Sequence, residues 1–154
     1  MTKLSYSKIN TFLTCPKKFE YKYIQRLGSF QNDAMKYGSD LHQTISDELL
    51  ENKPDYTVFT MEKLAEAERL VDNALQYVGD RTLIGSEQKL GMDENFEEKP
   101  YENAVFRGVI DAVVFDPMEG IELIDFKTNF ADFPKTQLLF YTLISKASYK
   151  VLPN

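Results

Sequence analysis

The chain has 154 residues, 43% hydrophobic and 13% aromatic, with a formal net charge of −6, which suits one domain with a real core and excludes a disordered chain. No apolar run is long enough for a membrane span, the N-terminus lacks a signal-peptide layout, and a cytoplasmic protein is expected. The single cysteine, Cys15, excludes a disulfide framework and any multi-cysteine zinc or iron–sulfur site within one chain, so metal chemistry must use oxygen and imidazole ligands. Cys15 itself reads as a small buried residue.

The charge is unevenly spread. Lys3, Lys8, Lys17, Lys18, Lys22 and Arg26 face only Glu20 in the first thirty residues, a net of +5, leaving twelve cations against twenty-three acids, −11, elsewhere. The acidic total argues against broad nonspecific nucleic-acid binding, but the basic first segment does not.

In chain order, "LSYSKINTFLTCPKKFEYKYI" begins with Ser5 or Ser7 as N-cap and continues with Ile9, Phe12 and Leu13 at helical spacing until Pro16 interrupts it. A second short helix then carries Phe19, Tyr23 and Ile24. The aromatics here are expected to face mostly inward and the cations outward. In "YGSDLHQTISDELLEN", Ser39 or Asp40 is the expected cap of a helix with Leu41, Ile45 and Leu49 as its stripe. "TMEKLAEAERLVDNALQYVG" is the clearest helix, with Gly79 to close it. After Gly79 the period changes. "TLIGSEQKLGM", "ENAVFRGVIDAVVFD" and "IELIDFKT" read as strands, the last two separated by the turn signal "DPMEG". Pro134 then opens a helix, "KTQLLFYTLISKASYKVL". The expected organisation is a single α/β domain over 1–154, helical to about residue 80 and sheet-based after it.

The chemistry concentrates in the hairpin. If "DPMEG" closes an antiparallel pair with Phe115 across from Ile121, then Asp111 lies opposite Asp125, and like charges so placed repel. A divalent cation reverses that sign, because oxygen-rich pairs are what Mg²⁺ and Mn²⁺ prefer. Lys127, one pleat further, would stand beside the ion. The competing reading is a plain Asp125–Lys127 ion pair at a sheet edge of an unrelated α/β domain.

The pieces "LSYSKINTFLTCPKKFEYKYI", "GSDLH", "SEQKL", "RGVIDAV", "IDFKTN" and "QLLFY" occur in an order that resembles the PD-(D/E)XK nuclease superfamily. Within it they resemble the RecB-like exonuclease branch, which includes the nuclease domains of recombination helicase-nucleases and CRISPR-adaptation nucleases. The resemblance implies a restriction-endonuclease-like core, a mainly antiparallel mixed sheet flanked by helices behind an N-terminal helical region. It implies Mg²⁺ or Mn²⁺ held by His42, Asp111, Asp125 and the backbone carbonyl of Phe126, with Lys127 as the catalytic lysine and Glu87 as a further acidic residue of the site. Gln137 and Tyr141 match a Q-x-x-x-Y helix motif lining the site near DNA. With Cys15 alone, no iron–sulfur cluster is expected, and Asn129 stands where many relatives have glycine. Relatives usually continue past the last helix with another strand, so the chain is expected to be a minimal member or a truncated one.

The function implied is a metal-dependent DNA nuclease, an exonuclease in recombination, repair or DNA processing, with DNA and a helicase or recombination protein as partners. The basic residues Lys8, Lys17, Lys18 and Lys22 are the expected DNA contacts. The alternative is a non-cleaving DNA-binding or protein-interaction module that keeps the fold. His42 as a structural helix residue, Glu87 as a solvated strand residue, and Gln137 with Tyr141 as the polar edge of a helix whose Leu138, Leu139, Tyr141 and Leu143 pack on the sheet are the plain readings of the same positions.

Overall fold

A computed structural model describes residues 3–28, 32–127 and 134–150. The helices are α1 (Tyr6–Thr14), α2 (Pro16–Phe19), a π-helical turn (Glu20–Ile24), α3 (Asp33–Leu49), a 3₁₀ turn (Tyr56–Val58), α4 (Met61–Val78) and α5 (Lys135–Tyr149). The strands β1 (Thr82–Met92), β2 (Phe106–Asp116) and β3 (Gly120–Ile124) form one antiparallel sheet in the order β1-β2-β3. This is an α/β architecture of the restriction-endonuclease-like kind. Among the described residues no helix is long and apolar enough to cross a membrane.

The chain forms two compact units, each discontinuous in sequence. One comprises Met1–Phe30, Lys89–Val109 and Asp132–Pro153, and the other comprises Gln31–Gln88 and Ile110–Ala131.

In the second unit α3 and α4 bury the faces that their periodicity marks. Leu41 and Ile45 of α3 meet Ala67, Val71 and Ala74 of α4, spaced by three or four residues so that they stack on one side. Val78, Ala112, Val114 and Ile124 form a second cluster, with Leu49 and Phe126 packed against both. Gly79 ends α4 at φ +57°, a backbone that glycine adopts without strain. The cap of α3 is Asn32, whose side chain accepts the Met35 N–H, and not Ser39 or Asp40. With a capping carboxamide already about two turns upstream, the residues before "SDLH" have no reason to leave the helix, and α3 begins correspondingly earlier than expected.

The β2–β3 register has Phe115 across from Ile121 and Ala112 across from Ile124, the pairing that the turn signal implies. β3 is shorter than the expected strand over "IELIDFKT" and stops at Ile124. The Asp111 carboxylate takes the Phe126 N–H at 2.6 Å, so a side chain replaces the main-chain acceptor where the ladder would have continued.

In the first unit, Leu4 pairs with β2, donating to Val105 and accepting from Arg107. The buried residues there include Leu90, Met92, Ala104, Phe140, Ile144 and Ala147. A side chain at Gly108 would come within 3.1 Å of the Tyr141 ring, so the glycine of "RGVID" lets α5 approach the strand backbone. That approach, with the Tyr6–Phe140 ring contact at 6.4 Å, sets the rotation of α5. Gln137, Phe140, Ile144 and Ala147 turn inward and Tyr141 meets the strand at Gly108, while Leu138, Leu139 and Leu143 are 49%, 63% and 46% exposed and are not core residues.

Two further expectations are corrected in this unit. None of the residues from Tyr6 to Ile24 is buried, so the aromatics of α1, α2 and the π-helical turn are not core residues. Cys15 is exposed, because it caps α2 from an extended backbone at the break that Pro16 makes. Asn129 lies outside the described residues.

Candidate metal centre and its lysine

Three side chains of the second unit converge from three elements. His42 lies on α3, three and four residues before the buried Ile45 and Ser46, so it shares their side of the helix. Its Nδ1 is 3.2 Å from Oδ1 of Asp111 on β2. Oδ2 of Asp111 accepts the Phe126 N–H, so both carboxylate oxygens are engaged and the side chain is only 13% exposed. The hydrogen bond to Asp111 raises the His42 pKa; burial opposes it, and the charges of Asp111, Glu87 and Asp125 add to the rise.

Glu87 completes the cluster. One ligand atom from each of His42, Glu87 and Asp111 lies within 4.8 Å of the others. Two ligands about 2.1 Å from one hard cation are at most ~4.2 Å apart, so a small inward movement would seat a Mg²⁺- or Mn²⁺-sized ion among the three. The two carboxylates are the hard oxygen donors such ions take, and the imidazole is a borderline nitrogen donor beside them.

Glu87 reaches this place through an irregular backbone. It sits inside β1 at φ +48°, a left-handed conformation that costs a non-glycine residue about 1–2 kcal/mol. Along β1 the alternation of exposed and half-buried positions holds from Thr82 to Gly85 and is lost through Ser86, Glu87 and Gln88, as at a bulge that re-aims a side chain. The Ser86 hydroxyl ties this segment to β2 by donating to the Asp111 carbonyl at 2.8 Å. Local sequence rules do not mark Ser86 for this role. The one signal for it is Gly85, since a glycine inside a strand pattern often marks a bulge.

Asp125 and Lys127 follow β3 as an ion pair; their side chains are 11% and 39% exposed. Burial raises the Asp125 pKa, the hydrogen bond from Lys127 opposes that, and the Asp111 charge raises it further. The sequence expectation put Asp125 among the ligands and Glu87 beside them. The structure gathers His42, Glu87 and Asp111, pairs Asp125 with Lys127 within electrostatic reach of Asp111 and His42, and links Phe126 to the cluster through its N–H.

The other expected site residues belong to the first unit. Gln137 is 8% exposed and donates to the Tyr141 hydroxyl at 3.2 Å. Lys8 donates to the Lys3 carbonyl, Lys17 pairs with Glu20 at 2.9 Å, Lys18 is exposed and Lys22 is half-buried.

No curated protein and no solved structure gives a significant match to the chain. A model of the PD-(D/E)XK nuclease superfamily matches residues 3–153, the stretch that carries every element described above. The acid–histidine cluster beside a lysine, the three-stranded sheet and that match agree, and the chain belongs to the PD-(D/E)XK nuclease superfamily.

Proposed function

We propose that the protein is a Mg²⁺- or Mn²⁺-dependent deoxyribonuclease of the RecB-like branch, an exonuclease acting in DNA recombination, repair or processing beside a helicase or recombination protein. The observation that carries this reading is the convergence of His42, Glu87 and Asp111 within 4.8 Å, with the Asp125–Lys127 pair following the neighbouring strand.

His42, Glu87 and Asp111 would hold the cation, with Asp125 and the Phe126 carbonyl as further candidate oxygens. When bound there, such an ion would supply Lewis-acid polarisation of the phosphate and a lowered pKa for a coordinated water. The protein's own part is orientation and charge. The Phe126 N–H fixes the Asp111 carboxylate, and Asp111 fixes the imidazole of His42, so these ligands are set before a phosphate arrives. Asp125 holds the Lys127 ammonium at the edge of solvent, where it can meet charge that develops on the phosphate oxygens. Gln137 and Tyr141 are proposed contacts to the DNA backbone.

The test is to incubate end-labelled single-stranded DNA, linear duplex and a closed circle with Mg²⁺ or Mn²⁺, comparing the unmodified protein with Lys127→Ala. Cleavage of the linear substrates, reduced about 10²- to 10³-fold in the variant, is expected from loss of one charge-stabilising donor. If all three DNAs remain intact with either metal, the chain is a non-cleaving module instead.

A further inference from the structure

The N-terminal segment of the first unit combines features that core packing does not explain. Phe12, Phe19 and Tyr23 form a continuous run of rings, with centroids 5.4 Å and 5.2 Å apart. Phe12 is 51% exposed and Tyr21 is 44% exposed. The ammonium groups of Lys8 and Lys22 lie 5.4 Å and 5.3 Å from the Tyr23 ring, and that of Lys17 lies 4.8 Å from the Tyr21 ring.

The local backbone contributes to this display. Between Glu20 and Ile24 the helix widens to a π turn, with the Gln25 N–H reaching back to the Glu20 carbonyl at 2.9 Å. Wide turns of this kind are uncommon and recur at functional sites. Here the turn carries Tyr21, Lys22 and Tyr23 together.

Exposed rings alone would fit a protein partner as well as a nucleic acid. The charge decides between them. The first thirty residues carry a net of +5 in a chain of net −6, so the surface attracts a polyanion and the rest of the molecule does not. A duplex presents phosphates but keeps its bases stacked, and would leave the rings unused. An unpaired strand presents both phosphates for lysines and base faces for aromatic side chains.

We infer that the segment from Tyr6 to Ile24 is a binding surface for single-stranded DNA, on which Phe12 and Tyr21 stack unpaired bases while Lys8, Lys18 and Lys22 meet the phosphates. The choice of DNA rests on the proposed nuclease reading; the preference for an unpaired strand rests on the rings. The surface supplies grip on the strand and has no part in bond cleavage.

The experiment is fluorescence anisotropy with labelled oligo(dT), oligo(U) and a blunt duplex of equal length, in EDTA so that no strand is cut. Oligo(dT) is expected to bind at least tenfold tighter than the duplex. Phe12→Ala and Tyr21→Ala should each weaken it fivefold or more, consistent with the loss of one stacked base. Neither should change the slope of log affinity against log salt, whereas Lys18→Ala should lower that slope by about 0.7. Phe12→Trp should keep the affinity, which separates a stacking role from loss of fold, and circular dichroism of each variant checks the same point. Equal binding of duplex and single strand, or aromatic variants that bind as tightly as the unmodified protein, overturns the inference and leaves the rings to a protein partner. A clear preference for oligo(U) overturns the assignment to DNA. Cleavage assays on the same protein keep the two readings apart, since binding without cleavage retains this surface and removes only the nuclease.

Discussion

The acid cluster of the second unit and the lysines of the first thirty residues satisfy their charges differently. Asp111 is 13% exposed and has both oxygens engaged, by His42 and by the Phe126 N–H, while Asp125 is 11% exposed against Lys127. Lys17, by contrast, is 61% exposed and its partner Glu20 is 42% exposed, a surface pair that holds little in place. Carboxylates brought out of water demand partners, and those partners fix geometry, which suits a reacting centre. Cations left in water keep their freedom and can follow a flexible polyanion. The same contrast appears in the apolar residues. Ile110, beside Asp111, is 0% exposed, whereas Phe12 is 51% exposed.

The sharpest way to break the comparison is at Asp111. Asp111→Asn should abolish the thermal shift given by Mn²⁺ and lower cleavage more than about a hundredfold, since even partners of metal ligands are commonly worth 10- to 100-fold. A Mn²⁺ shift of normal size in that variant would remove Asp111 from the ligand set. Next in size is the contrast in burial. Ile110→Ala should cost about 2–5 kcal/mol in urea unfolding, as deletions at fully buried sites do. Phe12→Ala should stay within about 0.5 kcal/mol, as at a surface position. Similar losses for the two would mean that the N-terminal rings are core after all.

A smaller effect is expected at Ser86. Removing its hydroxyl in Ser86→Ala frees the bulge that aims Glu87, and Mn²⁺ affinity by calorimetry should fall about tenfold, with Ser86→Thr restoring it. Unchanged affinity in Ser86→Ala would show that the β1 backbone holds Glu87 by itself.

The smallest expected effect concerns Tyr56, whose hydroxyl donates to Glu48 of α3, the helix that carries His42. Burial, with the Glu48 hydrogen bond and charge, pushes its phenol up to about 12. A raised acid pKa means that the folded state favours the neutral phenol. The stability it contributes is therefore complete below the ordinary value of 10.0 and is lost as pH rises from there towards 12. Denaturant midpoints followed across that window should converge for the unmodified protein and Tyr56→Phe; parallel curves would contradict the assignment.

Much of this was legible in the chain itself. The 3.6-residue stripe of α4, the glycine that ends it, the turn at Asp116–Gly120 and the β2–β3 register all follow from local rules, because each depends on residues near one another in sequence. The nearness of Asp111 and Asp125 followed from that register as well. The N-terminal cations were visible as a count, but their surroundings were not. Helical spacing marks aromatic residues as a stripe without saying what covers it, and from Tyr6 to Ile24 no residue is buried.

By itself the sequence determined the elements, the hairpin pairing, the charge division and the residue types able to hold a hard cation, since periodicity, turn chemistry and composition are properties of neighbours along the chain. Only the tertiary structure decided that Glu87 joins His42 and Asp111, that β3 yields to a side-chain hydrogen bond at Asp111, and that Leu138, Leu139 and Leu143 stay exposed. Those outcomes turn on a left-handed residue, a competing acceptor and the rotation of a helix over Gly108. Each is set by atoms far apart in sequence.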